Sequence, residues 1–162
     1  MIIVEGMDNT GKSTLIEAIG KAFKIPAARS NMAGAKASDM KQWIAWAESC
    51  PKPLILDRHP AISDLVYGNV IRGKSESSVE FARESRAGHF LIYCCPSLES
   101  IRESFDDREQ MKGTHENLEQ LYTGYESLME LLEPDFYYDW RNPQAQKALL
   151  NYLTRPIFAM SK

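Results

Sequence analysis

Cysteine is scarce in this chain and badly placed for pairing. Cys50, Cys94 and Cys95 are odd in number, two are adjacent, and none sits in a Cys-x-x-Cys or His-pair spacing. That excludes a disulfide framework and a zinc site, and leaves three free thiols that behave as small buried hydrophobes. Long apolar runs are also missing. No stretch approaches the ~20 residues needed to cross a bilayer, and Met1 leads into Ile-Ile-Val rather than a basic, apolar leader, so the expected location is the cytoplasm, with no membrane partner. Positive charge is not in excess: 19 Lys and Arg face 22 Asp and Glu, a net charge of −3. No overall field therefore draws the chain to nucleic acid or anionic lipid, although a local basic cleft is not ruled out. Nine Gly and eight Pro without a period exclude collagen-like and low-complexity architectures.

What is present is an ordinary globular composition, 44% apolar and 25% charged over 162 residues, enough for one domain burying about two thirds of its unfolded surface. Apolar runs alternate with helical periods throughout. The fold class this implies is α/β, a parallel sheet of about five strands flanked by helices on both faces, in a single domain over 1–162. Strands are expected at 1–5, 25–29, 53–57, 89–94 and 136–140. Helices are expected at 12–23, 38–49, 61–72, 77–87, 97–105 and 114–133, with a terminal one after Asn142-Pro143. Ser77 and Glu80 read as a capping box for the fourth helix, and Gly88 as its stop.

Gly6-Met7-Asp8-Asn9-Thr10-Gly11-Lys12-Ser13 satisfies G-x-x-x-x-G-K-[ST] at every fixed position. The motif leaves an apolar strand and opens a helix, where successive backbone N–H groups and the helix N-terminus can face a polyphosphate. Lys12 then supplies a charge to the β and γ phosphates, the Ser13 hydroxyl binds Mg²⁺, and Gly6, Asn9, Thr10, Gly11 and Thr14 complete an ATP site. A phosphate loop alone does not choose among ATPases, switches, transporter subunits and kinases. A second motif, from Asp57-Arg58 through Ser63 to Tyr67, begins at the carboxyl end of a strand, on the rim where open α/β sheets bind ligands. An acid there can hold the Mg²⁺ shell or accept a hydroxyl proton, and Arg58 can grip a phosphate through two bonds.

Together these segments resemble the thymidylate kinase family and its deoxynucleoside kinase relatives. There the loop reads E-G-x-D-x-x-G-K-[ST] and the next motif D-R-x-x-x-x-S-x-x-x-[FY]. Glu5, Gly6 and Asp8, then Asp57, Arg58, Ser63 and Tyr67, match both, and the resemblance runs from Met1 to about Tyr125. It implies a P-loop kinase fold, ATP as donor with Mg²⁺ held by Ser13 and Asp57, and catalytic roles for Asp8, Lys12, Asp57 and Arg58. The acceptor would be a deoxynucleoside monophosphate, most simply dTMP, lying against Asp8, Arg29, Arg58, Ser63 and Tyr67; Trp43, three residues before Trp46 on one helical face, reads either as core packing or as a stacking platform for the base. The resemblance also implies a short lid near 102–114, in which Arg102 or Arg108, flanked by Asp106, Asp107 and Glu109, reaches the moving phosphoryl group. Departing from family members with several lid arginines, this chain leaves open which one does so. Arg141 leaves the last strand where the resemblance implies that the adenine sits. Other acceptors for the same chemistry are a deoxynucleoside, or a hydroxymethylated base or end on DNA, the last disfavoured by the acidic balance. A homodimer is compatible with the resemblance. A nucleotide-binding module without turnover is the competing class, disfavoured by the Asp57-Arg58 pair, and the absence of an Asn-Lys-x-Asp guanine reader counts against a GTPase switch.

Overall fold

A computed structural model describes residues 1–104 and 113–154. Five strands form one sheet: β1 (Ile2–Glu5), β2 (Ala27–Arg29), β3 (Ile55–Asp57), β4 (Phe90–Cys94) and β5 (Phe136–Tyr138). Their order is β2-β3-β1-β4-β5 and every pairing is parallel. Parallel strands are covered on both faces and so read as continuous apolar runs, as Ile2-Ile3-Val4 and Phe90-Leu91-Ile92 do. Side chains alternate across the sheet. Ile2, Val4, Ile55 and Ile92 pack with helices α1 (Lys12–Phe23) and α8 (Ala145–Leu153). Ile3, Leu56, Leu91 and Tyr93 face the other layer, which contains α2 (Ala37–Ser49), α5 (Val79–Arg86), α6 (Leu98–Glu103) and α7 (Leu118–Leu132). β1 is central, between β3 and β4, so strand order reverses beside it and places a crevice at its carboxyl end.

The expected elements are all present, several with shifted ends. The helix expected at 61–72 is in three parts: α3 (Pro60–Ser63), a π-helical segment (Asp64–Gly68) and α4 (Asn69–Arg72). Ser78, not Ser77, caps α5 by accepting from the Phe81 amide at 3.1 Å. Ser77 is unavailable because its own amide is held by Asp64 Oδ2 at 3.1 Å. α7 starts at Leu118, four residues later than expected, because Thr114 is buried and turned toward Asp8. α8 starts at Ala145: Asn142 forms a turn instead of a cap, its Oδ1 accepting from the Gln144 amide at 3.0 Å. Glu133, with φ 48°, ends α7 before Pro134, and Gly88, with φ 76°, follows α5. Among the described residues, no helix is long and apolar enough to cross a membrane.

Candidate active site

The loop between β1 and α1 encloses a cradle that requires glycine at both ends. A Cβ at Gly6 would lie 2.7 Å from the Cys94 carbonyl oxygen and one at Gly11 would lie 3.0 Å from the Trp140 ring, and both residues adopt positive φ. Within the loop, Thr10 Oγ1 donates to the Met7 carbonyl at 2.9 Å, and Lys12 Nζ donates to the same carbonyl. Lys12 is buried without a direct carboxylate partner among the described residues. Burial, aided by the nearby Arg58 charge, pushes its ammonium down to about 8. Ser13 and Thr14, by contrast, are exposed at the start of α1. They line a cavity of about 390 Å³ together with the loop, Arg29, Asp57, Arg58, Ser104 and Trp140.

Arg58 leaves β3 in a left-handed conformation, φ 72°, uncommon for a residue with a side chain and a form of strain that concentrates at functional sites. The turn drives its guanidinium into the protein. Nη2 donates to Asp8 Oδ1 at 2.6 Å and to the Tyr67 hydroxyl at 3.1 Å, Nη1 donates to the Tyr125 hydroxyl at 3.0 Å, and the group stands 4.8 Å from the Tyr67 ring centre. Asp8 Oδ2 accepts from the Tyr67 hydroxyl at 3.3 Å and from Thr114 Oγ1 at 3.2 Å. Burial alone would raise the Asp8 carboxyl, but Arg58 and Lys12 outweigh it and hold it below the usual range.

Glu5 lies beneath this arrangement, wholly buried. It accepts from the His59 amide at 2.5 Å, Ser63 Oγ at 3.2 Å and the Tyr125 hydroxyl at 3.2 Å. Burial pushes its carboxyl up, with Arg58 opposing. Asp57, at the strand end, pairs with Arg29 at 3.6 Å. Arg29 and Arg58 also line a second cavity of about 200 Å³, walled by Ser30, Asn31, Met32, Pro60, Ser63, Asp64, Tyr67 and Arg72. The two cavities meet at these two arginines.

Asp8, Lys12, Ser13, Arg29, Asp57, Arg58, Ser63 and Tyr67 are thus brought together around two adjoining spaces. Trp43 is not among them. It is half-buried against the core, its ring centre 5.8 Å from that of Trp46 with the planes tilted by 52°, and it lines neither cavity. Arg102 pairs with Glu119 of α7 over a shallow depression that also includes His115, and does not line the phosphate-loop cavity. Arg108, with Asp106, Asp107 and Glu109, lies outside the described residues. Arg141 pairs with Glu103 at 3.0 Å and covers the Trp140 ring at 5.2 Å. The sequence reading gave no role to Thr114, Asp64, Arg72 or Trp140. Only Trp140, in the segment leaving the last strand, carried a signal that points to the site.

His59 is buried beside the site, and neither ring nitrogen has a hydrogen-bond partner among the described residues. Burial, with a smaller contribution from His89, pushes its pKa down to about 3. In the unfolded chain an ordinary histidine titrates near 6.5. The unfolded state therefore binds the extra proton between those values, and stability present above pH 6.5 is lost as the pH falls toward 3. The slope from this group is about 1.4 kcal/mol per pH unit. Melts at pH 7.5 and 5.5 should therefore differ by several degrees in the wild type, and by clearly less in a His59→Leu variant. Equal differences in the two proteins would assign the acid sensitivity elsewhere.

No protein-family model matches the sequence, and no curated protein is significantly similar to it. Solved structures do match. YorR from Bacillus subtilis, crystallised in complex with phosphorylated GDP, has a TM-score of 0.74 at 19% identity over 94% of each chain. Shikimate kinase from Acinetobacter baumannii, in complex with shikimate, has a TM-score of 0.59 at 11% identity, over 99% of this chain and 93% of that one. The fold is that of the P-loop kinases. Identities this low establish architecture alone. The narrower likeness to thymidylate kinases rests on the two sequence motifs.

Proposed function

We propose that this chain is a kinase that moves the γ-phosphoryl group of ATP to a small acceptor held in the second cavity. The observation that carries this reading is the meeting of a phosphate-loop cavity and a smaller pocket at Arg29 and Arg58. The residues present fit a Mg-nucleotide: the exposed Ser13 hydroxyl and half-buried Asp57 carboxylate line the same space as the loop from Asp8 to Thr14 and the Lys12 ammonium. Ser13 and Asp57 would hold Mg²⁺, which, when bound, neutralises charge on the phosphate oxygens.

The backbone from Asn9 to Thr14 cradles the phosphates. Lys12 exchanges its loop carbonyl for them, and its desolvated ammonium is stronger there than in water. Arg141 and the Trp140 ring flank the donor's outer end. Asp8, on the phosphate-loop side, is held as an anion by Arg58, and Arg29 and Arg58, which line both cavities, lie between the two substrates. In the second pocket, Ser63 and Tyr67 form part of the wall. Catalysis then consists of positioning and charge neutralisation.

The motif resemblance supports a deoxynucleoside monophosphate as acceptor, most simply dTMP. A second reading, an uncharged nucleoside or other hydroxyl compound, is favoured by the charge balance, since each arginine on the pocket has its own carboxylate: Arg29 with Asp57, Arg58 with Asp8, Arg72 with Asp64. Mg-ATP with a panel of nucleosides, monophosphates, shikimate-like hydroxy acids and oligonucleotides tests both. Transfer to dTMP well above thymidine supports the first reading and the reverse supports the second. ATP binding without transfer to any acceptor would overturn the kinase reading.

A further inference from the structure

Thr114 has no part in the chemistry proposed above, yet its side chain ends at the site. His115 and Glu116 beside it are exposed, whereas Thr114 is wholly buried. The turn before it makes this possible. Gly113 takes φ 88°, and a Cβ there would lie 3.3 Å from Ile71, so glycine lets the chain press onto α4. Asn117 Nδ2 donates to the Gly113 carbonyl at 2.9 Å and holds the turn. The Thr114 hydroxyl then donates to Asp8 Oδ2 at 3.2 Å, the one hydrogen bond it makes among the described residues.

An ionised carboxylate offers about four lone-pair sites, two on each oxygen. At Asp8, Oδ2 receives both Tyr67 and Thr114, at 3.3 and 3.2 Å, while Oδ1 receives Arg58 at 2.6 Å. Oδ2 is therefore filled, and the remaining lone pair is on Oδ1, beside the guanidinium that lines both cavities. Tyr67 and Arg58 act as one unit, since Arg58 Nη2 also donates to the Tyr67 hydroxyl at 3.1 Å. Thr114 is the donor from outside that unit, on a different stretch of chain.

We infer that Thr114 is a positioning residue for phosphoryl transfer: its hydroxyl fixes the Asp8 carboxylate so that Oδ1, beside Arg58, is the oxygen left to face the substrates. This rests on the kinase reading and on the place of Asp8 within it. A hydrogen bond donated to a carboxylate also favours its ionised form, so Thr114 adds to Arg58 and Lys12 in keeping Asp8 an anion. Without the hydroxyl, Oδ2 regains a free lone pair, the carboxylate is free to turn, and protonation becomes easier.

Thr114→Val removes the hydroxyl and keeps the shape, whereas Thr114→Ser keeps the hydroxyl, and thermal melts should show both folded. Carbon-13 titration of the side-chain carboxyls of the full chain, without ligand, reads Asp8 directly, its resonance being the one missing from Asp8→Asn. The Asp8 midpoint should move up in Thr114→Val and return toward the wild-type value in Thr114→Ser. Arg58, Lys12 and Tyr67 face the same carboxylate, Arg29 and Asp57 line the same cavity and Glu5 lies beneath, and both variants retain all of them. With Mg-ATP and dTMP, or whichever acceptor of the panel is phosphorylated, kcat of Thr114→Val should fall about tenfold to a hundredfold, the scale set by a misplaced group. Its acid limb should move to higher pH while the KM for ATP changes little, and Thr114→Ser should recover most of the rate. An unmoved Asp8 midpoint or a wild-type kcat in Thr114→Val would overturn the role of Thr114 while leaving the kinase reading in place. So would an equal loss in Thr114→Ser, which would trace the effect to packing of the methyl group. Full transfer by Asp8→Asn, or transfer to no acceptor at all, would instead remove the reading on which the inference rests, and the inference with it.

Discussion

Lys12→Ala should reduce Mg-ATP-dependent transfer by about 10³-fold or more and at the same time make the empty protein more stable. Loss of activity follows from removing the one ammonium in a dry loop aimed at the phosphates, where preorganised charge contributes most. Increased stability follows from the cost of the same charge when no nucleotide is present. The Lys12 ammonium is buried among a carbonyl and a hydroxyl, and its pKa is pushed down to about 8. An unfolded lysine titrates near 10.4. The unfolded state therefore binds more protons between those values, stability rises with pH across that interval, and at pH 7 the folded protein bears the full penalty. Removing the group should recover about 1–3 kcal/mol. Denaturant unfolding at pH 7, with and without ATP, checks both halves. A destabilised Lys12→Ala protein would show that the ammonium has a structural partner.

Arg58 should behave in the opposite way. Its guanidinium has Asp8, Tyr67 and Tyr125 as direct partners, and its charge also holds down the buried Glu5 carboxyl. Arg58→Met leaves the Asp8 carboxylate without its paired guanidinium and the buried Glu5 with only Lys12 as a neighbouring cation, and losing one partner of a buried ion pair costs about 3–5 kcal/mol. Activity should fall with stability, because Asp8 loses the charge that keeps it ionised and in place. Arg58→Lys should recover part of the stability and little of the acceptor affinity, since one ammonium cannot reach three partners lying in different directions. Urea unfolding and the acceptor KM, measured on the same preparations, separate the two effects. An Arg58→Met protein with wild-type unfolding would show that the pairing with Asp8 contributes nothing to stability.

How much of this was legible beforehand depended on whether the signal is local. The phosphate loop and the Asp57-Arg58 strand end could be read directly, because a tight glycine turn and a buried strand ending in polar residues are consecutive stretches of chain. The five strands were visible for the same reason. Trp43 was misplaced because its spacing from Trp46 fits a core face as well as a stacking surface, and only packing decides between them. Thr114 comes from a segment that reads as helix, and its contact with Asp8 spans 106 positions. Glu5 was visible as part of a motif, but its role as the buried acceptor that ties β1 to the turn after β3, to α3 and to α7 requires the sheet register. Arg72 stands at the end of the helix expected over 61–72, and nothing in the neighbouring residues marks it as facing a pocket.

The π-helical segment explains why Arg72 is in the pocket at all. On a continuous α-helix the residues that follow Ser63 along one face are Tyr67 and then Ile71, at steps of four. A π turn, bonded i to i+5, takes one more residue to come round. With the extra residue taken up over Asp64–Gly68, the wall that holds Ser63, Asp64 and Tyr67 goes on to Arg72, whose guanidinium returns to Asp64, while Ile71 is turned toward Gly113, where a Cβ would lie 3.3 Å from its methyl groups. One surplus residue resets the phase of the helix midway along a binding wall. Because Asp8 and Arg58 take their partners from Tyr67, Thr114 and Tyr125 and none from α4, the side chains beyond the π turn can change while those contacts stay as they are.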